Sequence, residues 1–407
     1  MSHPRITFIA IAVACALGGT AEATTLIKVC PSCTLNTIQK GIEAANPTDA
    51  PVIQIAPGVY NEDIHVSGKG LTLQAVPGTV ELRGTGSGPT VTLGSGGGAT
   101  FPVTINGLTI SNGKSLTIGN PSGGGIFVIP GSILHLKNSI VQNNQAFSGG
   151  GISVFTPRSP ATTIEDSTIT NNQAEDGAGI SILSSVVTIS NTDVTHNVGK
   201  PGFNADARGG GLFVGENGDL RLNHVTVSHN SAFEGGGIYA ENDAHNTDIR
   251  RSTISENTFL NTCNGPVGCK PGFGIGAFLA SSFIIADSTI AHNTGSSPVS
   301  LFGGGLYIEP NGTMSIDQAT VGYNNTADAS LNDVKTGKVL GGGGGIAIVN
   351  KNGNPARVTL SDVFVINNAA SPSQAGGIDN SNSGQMMLTD VTIKDNTGDN
   401  CRGADCP

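Results

Sequence analysis

The segments Ile164-Glu-Asp-Ser-Thr-Ile-Thr-Asn-Asn172, Ile285-Ala-Asp-Ser-Thr-Ile-Ala-His-Asn293 and Leu388-Thr-Asp-Val-Thr-Ile-Lys-Asp-Asn396 are copies of one pattern. Each runs from an aliphatic residue through an Asx-like turn position to a small residue, Thr-Ile and a closing Asn. Apolar positions alternate within it, the mark of strands with one face inward. The closing Asn recurs at Asn144, Asn172, Asn197, Asn230, Asn257, Asn293, Asn324, Asn368 and Asn396. The successive gaps of 28, 25, 33, 27, 36, 31, 44 and 28 imply a constant coil with one segment of variable length.

Upstream of each copy stands a glycine run leading into another aliphatic strand, as in Gly149-Gly150-Gly151-Ile152, Gly209-Gly210-Gly211-Leu212, Gly235-Gly236-Gly237-Ile238 and Gly303-Gly304-Gly305-Leu306. Three short strands repeating in fixed order cannot close as hairpins, so equivalent strands stack in parallel, about 4.8 Å apart. The pattern therefore predicts an all-β chain: a single-stranded, right-handed parallel β-helix with three strands per coil. The stacked Asn column satisfies turn backbone that would otherwise be buried and unpaired. Scarce Leu, the glycine runs and the lack of helical periodicity speak against a leucine-rich repeat. Ile38, Ile42 and Ala45 follow a helical spacing within Leu35 to Ala45, which predicts a short capping helix over the open N-terminal end. The expected division is a cap over 24–50, irregular first coils over 51–113, regular coils over 114–396 and a tail over 397–407.

Composition agrees. The 407 residues include 59 Gly and no Trp, and only 12% are charged, which suits short strands joined by tight turns. A net charge of −10 without a basic cluster argues against nucleic acid as a partner. Arg5, the apolar run Ile6 to Leu17 and Ala21-Glu22-Ala23 read as a signal peptide over 1–23, too short for a membrane span. The chain is thus expected to be exported, to the periplasm, the cell surface or the medium, with no integral membrane segment. Six cysteines then remain, in three close couples: Cys30 and Cys33, Cys263 and Cys269, Cys401 and Cys406. An exported chain with an even count favours disulfides, and the grouping favours local ones. No cofactor is indicated.

At Thr37 to Leu82 the chain resembles the pectin-lyase-like superfamily of parallel β-helices, through TIQKGIEAA and then IQIAPGVYNEDIHV with LTLQAV. The glycine-run and Thr-Ile-x-x-Asn alternation is similar to polymorphic outer-membrane protein repeats. The resemblance spans nearly the whole chain after residue 23 and implies the fold. It does not imply an activity. Gly58-Val-Tyr60-Asn-Glu62 looks like a pectin methylesterase opening motif, yet that family's downstream catalytic motifs have no match. Asn191-Thr192-Asp193 resembles a polygalacturonase motif but is an ordinary turn of the repeat.

Long insertions all fall at one corner, between the closing Asn and the next glycine run: Val198 to Arg208, Thr258 to Phe273, Thr294 to Phe302 and Thr326 to Leu340. On the strands that follow, period 2 turns Phe213, Tyr239, Phe278 and Tyr307 away from the core. An exposed aromatic strip suits a sugar chain, with Glu241 and Glu309 beside it to take hydroxyl hydrogen bonds. Glu241 and Glu309, two coils apart, are the candidate catalytic pair if the chain hydrolyses or cleaves a polysaccharide. Such aromatics also stack simply to stabilise a ladder, and truncating one would then cost only about 0.2–1 kcal/mol per pair. A second column, His196, His229, Glu256 and His292, carries metal-ligand chemistry, but coil steps of about 4.8 Å do not converge ligands, so no metal site is assigned. The reading that results is a non-catalytic module binding a polysaccharide, cell-surface glycan or protein partner, with a polysaccharide-active enzyme as the alternative.

Overall fold

The computed structural model describes residues 25–116, 123–157, 161–200, 207–260, 272–295, 301–309, 313–326, 343–349, 357–370, 375–380, 385–403 and 405–407. The segment read as a signal peptide and the couple Cys263 and Cys269 lie outside these residues. The coil that begins at Gly149 passes through strands Ile152–Phe155, Thr162–Glu165 and Thr168–Thr170 before Asn172 and the two-residue strand Gln173–Ala174. Repetition of this path builds four of the five parallel sheets among the described residues, the fifth being the short pair Gly272–Phe273 and Leu301–Phe302. One sheet has 13 strands, from Leu26–Val29 to Gln385–Thr389. Two have 12, running from Ile64–Val66 to Asp399–Gly403 and from Gly58–Asn61 to Thr392–Lys394. Six two-residue strands, from Lys114–Ser115 to Thr258–Phe259, line the corner after the ladder Asn. The chain is a parallel β-helix.

Side chains of one kind stack on one another. Ile164, Ile189, Leu222, Ile249, Ile285, Ile316, Leu360 and Leu388 follow in register through the 13-stranded sheet. All but Leu388 are buried in one continuous core that begins near Val29 and ends near Met386. The Asn column forms as the repeat implied. Asn172 Nδ2 donates to Asn197 Oδ1 and to the Val141 carbonyl, both at 3.0 Å, and Asn172 Oδ1 accepts from Asn144 N and Nδ2, also at 3.0 Å. Both amide hydrogens and both lone pairs are used, which makes the residue tolerable in full burial. The pattern continues to Asn396, whose amide ends on Asn400 Oδ1 at 3.0 Å.

The corners hold residues in the left-handed backbone region. Asn171, His196, His229, Glu256 and His292, each just before a ladder Asn, have φ between 54° and 57°. The polar and His character of this column therefore answers first to a turn that Asn, Asp and His tolerate best. At the glycine run, Gly209 has φ 63°, and a Cβ on Gly210 would stand 2.4 Å from the Gly236 carbonyl oxygen of the next coil. Neither position admits a side chain.

The N-terminal cap is the helix Ile38–Ala44, shorter than the spacing suggested because Thr37 caps it, accepting from Lys40 N at 3.2 Å. Glu62 closes the same end, its carboxylate accepting from Ile38 N at 2.7 Å and Gln39 N at 3.0 Å. Lys69 Nζ holds the other end through the Ile42 and Ala45 carbonyls, at 3.0 and 2.8 Å. Tyr60 is buried and donates to the Ala56 carbonyl at 2.9 Å. The Gly58 to Glu62 motif is thus occupied in fastening the cap. Cys30 is bridged to Cys33 and Cys401 to Cys406.

Candidate functional site

The first glycine of each run turns the chain back across the outer face of the strand that follows it. A Cβ on Gly235 would lie 2.8 Å from Tyr239 Cβ, and one on Gly274 would lie 2.7 Å from Phe278 Cα. The residues just before the runs, Ser148, Asp176, Arg208, Glu234 and Phe273, form their own bridged column beside that face. Outward is therefore not exposed at this corner.

The expected aromatic strip exists, but it is covered. Phe213, Tyr239, Phe278 and Tyr307 pair in register. Their rings stack at centroid separations of 5.7, 4.4 and 5.0 Å. Exposures of 3%, 8%, 4% and 1% correct the expectation of an open sugar platform. The four belong to an apolar cluster separate from the coil core, joined by Ala280, Ala347, Leu183, Phe273 and Val349. Period 2 gave their direction correctly, and the returning chain removed their exposure.

Above this column lies a charged ledge. Arg208 grips Asp176 with two bonds of 2.9 Å, Nε to Oδ1 and Nη2 to Oδ2, and its Nη1 also meets Glu241 Oε1. The guanidinium carbon stands 4.8 Å from the Phe213 ring centroid and 5.5 Å from that of Tyr239. Ion pairs and ring contact together fix a side chain that would otherwise be mobile. Side-chain exposures of 29% for Arg208, 14% for Asp176 and 22% for Glu241 leave the ledge reachable from solvent. Burial raises the carboxyl pKa of Asp176 and of Glu241, with Arg208 opposing the rise in both. The Tyr239 and Tyr307 hydroxyls are pushed well above the usual phenol range, mainly by burial, and stay neutral. Tyr307 donates to Glu309 Oε1 at 3.1 Å. Both Glu241 and Glu309 are thus half-buried with partners of their own.

Arg208 and Asp176 escaped the sequence reading. Arg208 ends a variable insertion that carries no periodicity, although its place immediately before a glycine run is a signal of sorts. The His196, His229, Glu256 and His292 column is exposed. His196 stacks on His229 at 4.8 Å, His229 Nε2 meets Glu256 Oε2, and His292 stacks on Tyr323 at 5.0 Å. No three His, Cys, Asp or Glu side chains among the described residues converge as a metal set. A shallow groove of about 340 Å³ beside the cap, lined by Leu71, Thr72, Phe101 and Pro102 among others, lies apart from the ledge and carries no titratable side chain.

The stacked parallel sheets and the Asn ladder make the fold a parallel β-helix. No family model matches this sequence, and no curated protein matches it. Among solved structures the β-helix is similar to a pectate lyase, Pel9A, at 16% identity and a TM-score of 0.36, over 84% of this chain and 78% of that one. It is also similar to the pectin methylesterase from Aspergillus niger in deglycosylated form, at 11% identity and a TM-score of 0.26, over 96% and 92%. Likeness at this level concerns the path of the chain alone, and the assignment of the fold rests on the sheets and the Asn ladder.

Proposed function

We propose that the chain is an exported, non-catalytic solenoid that binds a glycan along the ledge of Asp176, Arg208, Glu241 and Glu309. The observation that carries this reading is the pre-organised Arg208. It is held by two carboxylates and two rings, yet remains in reach of solvent, at the corner where the variable insertions fall. A sugar polymer offers hydroxyls as donors and acceptors, and a fixed row of carboxylates and guanidinium meets them without an ordering cost. Binding without turnover is supported because Glu241 is engaged by Arg208 and Glu309 by the Tyr307 hydroxyl. The two bridges suit an oxidising compartment, and no described helix is long and apolar enough to cross a membrane.

The raised Glu241 carboxyl favours a second reading, a polysaccharide hydrolase or lyase with Glu241 as proton donor and Glu309 as its partner. Incubation with a panel of neutral and acidic polysaccharides, scored for both retention and product release, separates the two. Retention without product, lost at least tenfold in Arg208→Ala while circular dichroism is unchanged, is the expected result. Product release abolished by Glu241→Gln or Glu309→Gln would establish the enzyme instead. Retention indifferent to all three substitutions would remove the ledge from either role.

A further inference from the structure

The ledge has a guanidinium whose bonds are already taken and a carboxylate with room around it. Arg208 places Nε and Nη2 as a fork on Asp176 and Nη1 on Glu241, and its plane lies against the Phe213 and Tyr239 rings. A uronate or sulfate group is held best by a free guanidinium fork, and here the protein's own acid fills it. Glu241 is different. Its Oε1 meets Arg208, whereas its Oε2 accepts from no described group, and the side chain keeps 22% exposure. Gly215 ends the strand Leu212–Gly215 in ordinary strand backbone, so no turn requires glycine there. A Cβ on it would stand 2.8 Å from Glu241 Oε2 and 3.0 Å from the Phe213 ring, so the missing side chain is room for the carboxylate. On the other side, the ladder bonds from Ala280 N to the Ala240 carbonyl and from Glu309 N to the Leu279 carbonyl, both 2.9 Å, set Ala280 and then Glu309 beyond Glu241. The two glutamates therefore stand about 9.6 Å apart by backbone spacing, with only a methyl between them.

We propose that the ledge selects a glycan with free amines, an unacetylated hexosamine polymer, whose ammonium groups Glu241 and Glu309 receive. The proposal rests on the glycan-binding reading of this ledge and narrows it. Two carboxylates, Asp176 and Glu241, face one guanidinium, and among the described residues Arg208 is the one cation that acts on either. Glu234 follows Arg208 in the bridged column and Glu309 lies further along, so negative charge is in excess. An ammonium brings three donors and the complementary charge to Glu241 Oε2, beside rings that strengthen the contact by excluding water. A sugar hydroxyl brings one donor and no charge. N-acetylation removes the positive charge, and a uronate adds repulsion. Arg208 acts here as a positioning residue that holds the Glu241 carboxylate over Gly215.

Retention of the full chain on immobilised polyglucosamine, on the same polymer after N-acetylation and on polygalacturonate, at neutral pH, tests this. The free-amine polymer is expected to hold the chain about tenfold or more above the acetylated form, and the polyuronate is expected not to hold it. Glu241→Gln, nearly the same shape, should lower retention on the amine polymer about tenfold with circular dichroism unchanged. Asp193→Asn, which removes an exposed carboxylate on a different sheet, should leave it unchanged. Equal retention on the free and acetylated polymers, or preference for the polyuronate, overturns the amine selection. If that retention is lost in Arg208→Ala, the glycan-binding reading of the ledge still stands. Amine-dependent retention that falls as far in Asp193→Asn as in Glu241→Gln also overturns the proposal, because the net charge of the chain then accounts for it. Absence of retention on all three polymers overturns it as well, and absence across the wider panel of neutral and acidic polysaccharides removes the glycan reading itself.

Discussion

Arg208 balances two half-buried carboxylates by itself, and pH should reveal it. Burial raises the pKa of Asp176 and of Glu241, and the guanidinium opposes the rise in both. In Arg208→Met both carboxyls should climb further. For an acid whose folded pKa is raised, the stabilising contribution is complete below its unfolded value and is lost as pH rises through the folded one. The variant should therefore be less stable than the parent at neutral pH by about 2–3 kcal/mol, somewhat under the cost of breaking a fully buried pair. The deficit should narrow as pH falls to about 4.5. Denaturant midpoints of both proteins at the two pH values measure it, and a deficit independent of pH would mean the carboxylates are solvated. Glu241 was legible in the sequence because a strand period fixes its direction. Arg208 was not, because contacts made at the end of an insertion depend on where the chain returns.

At the scale of the strand and its covering turn, the aromatic column teaches a different energetics from the one its spacing suggests. Alternation separates core from non-core, but it cannot say whether the non-core face meets water. Here the left-handed glycine reverses the chain onto that face, and Arg208 and Phe273 complete the cover. Phe273 lies 4.9 Å from the Tyr307 ring and 6.4 Å from that of Phe278, centroid to centroid. Truncating Tyr239 to Ala should then cost a core-like amount, about 3 kcal/mol, rather than the few tenths expected of an open ladder pair. Urea unfolding monitored by far-ultraviolet circular dichroism provides the comparison. A loss below about 1 kcal/mol would return the column to solvent and revive it as a direct sugar platform. The strand order and the inward columns could be read from the pattern. The burial of this second face depends on the turn's geometry, which only the positions of the glycines hinted at.

For the whole molecule the question is how far one break travels. A solenoid gains stability from each coil and from each coil-to-coil interface, so damage should spread to neighbours and fade with distance. The Asn ladder is the sharpest place to ask, since its period was plain in the sequence and its hydrogen bonds run from Gly113 to Asn400. Replacing Asn230 with Leu removes the acceptor of Asn197 N and Nδ2, at 2.9 and 3.0 Å, and the donor to the Val194 carbonyl, at 2.8 Å. Each buried group left unpaired costs about 1–3 kcal/mol, so two to three of them should lower stability by several kcal/mol. Hydrogen exchange should accelerate most in the coils that carry Asn197, Asn230 and Asn257. The first coils, around Leu73 and under the helix cap, should keep their protection. Equal acceleration along the chain would make the β-helix one cooperative block, so that coupling extends far beyond nearest neighbours. Unchanged exchange would mean that packing of the aliphatic columns holds the stack without its amide spine.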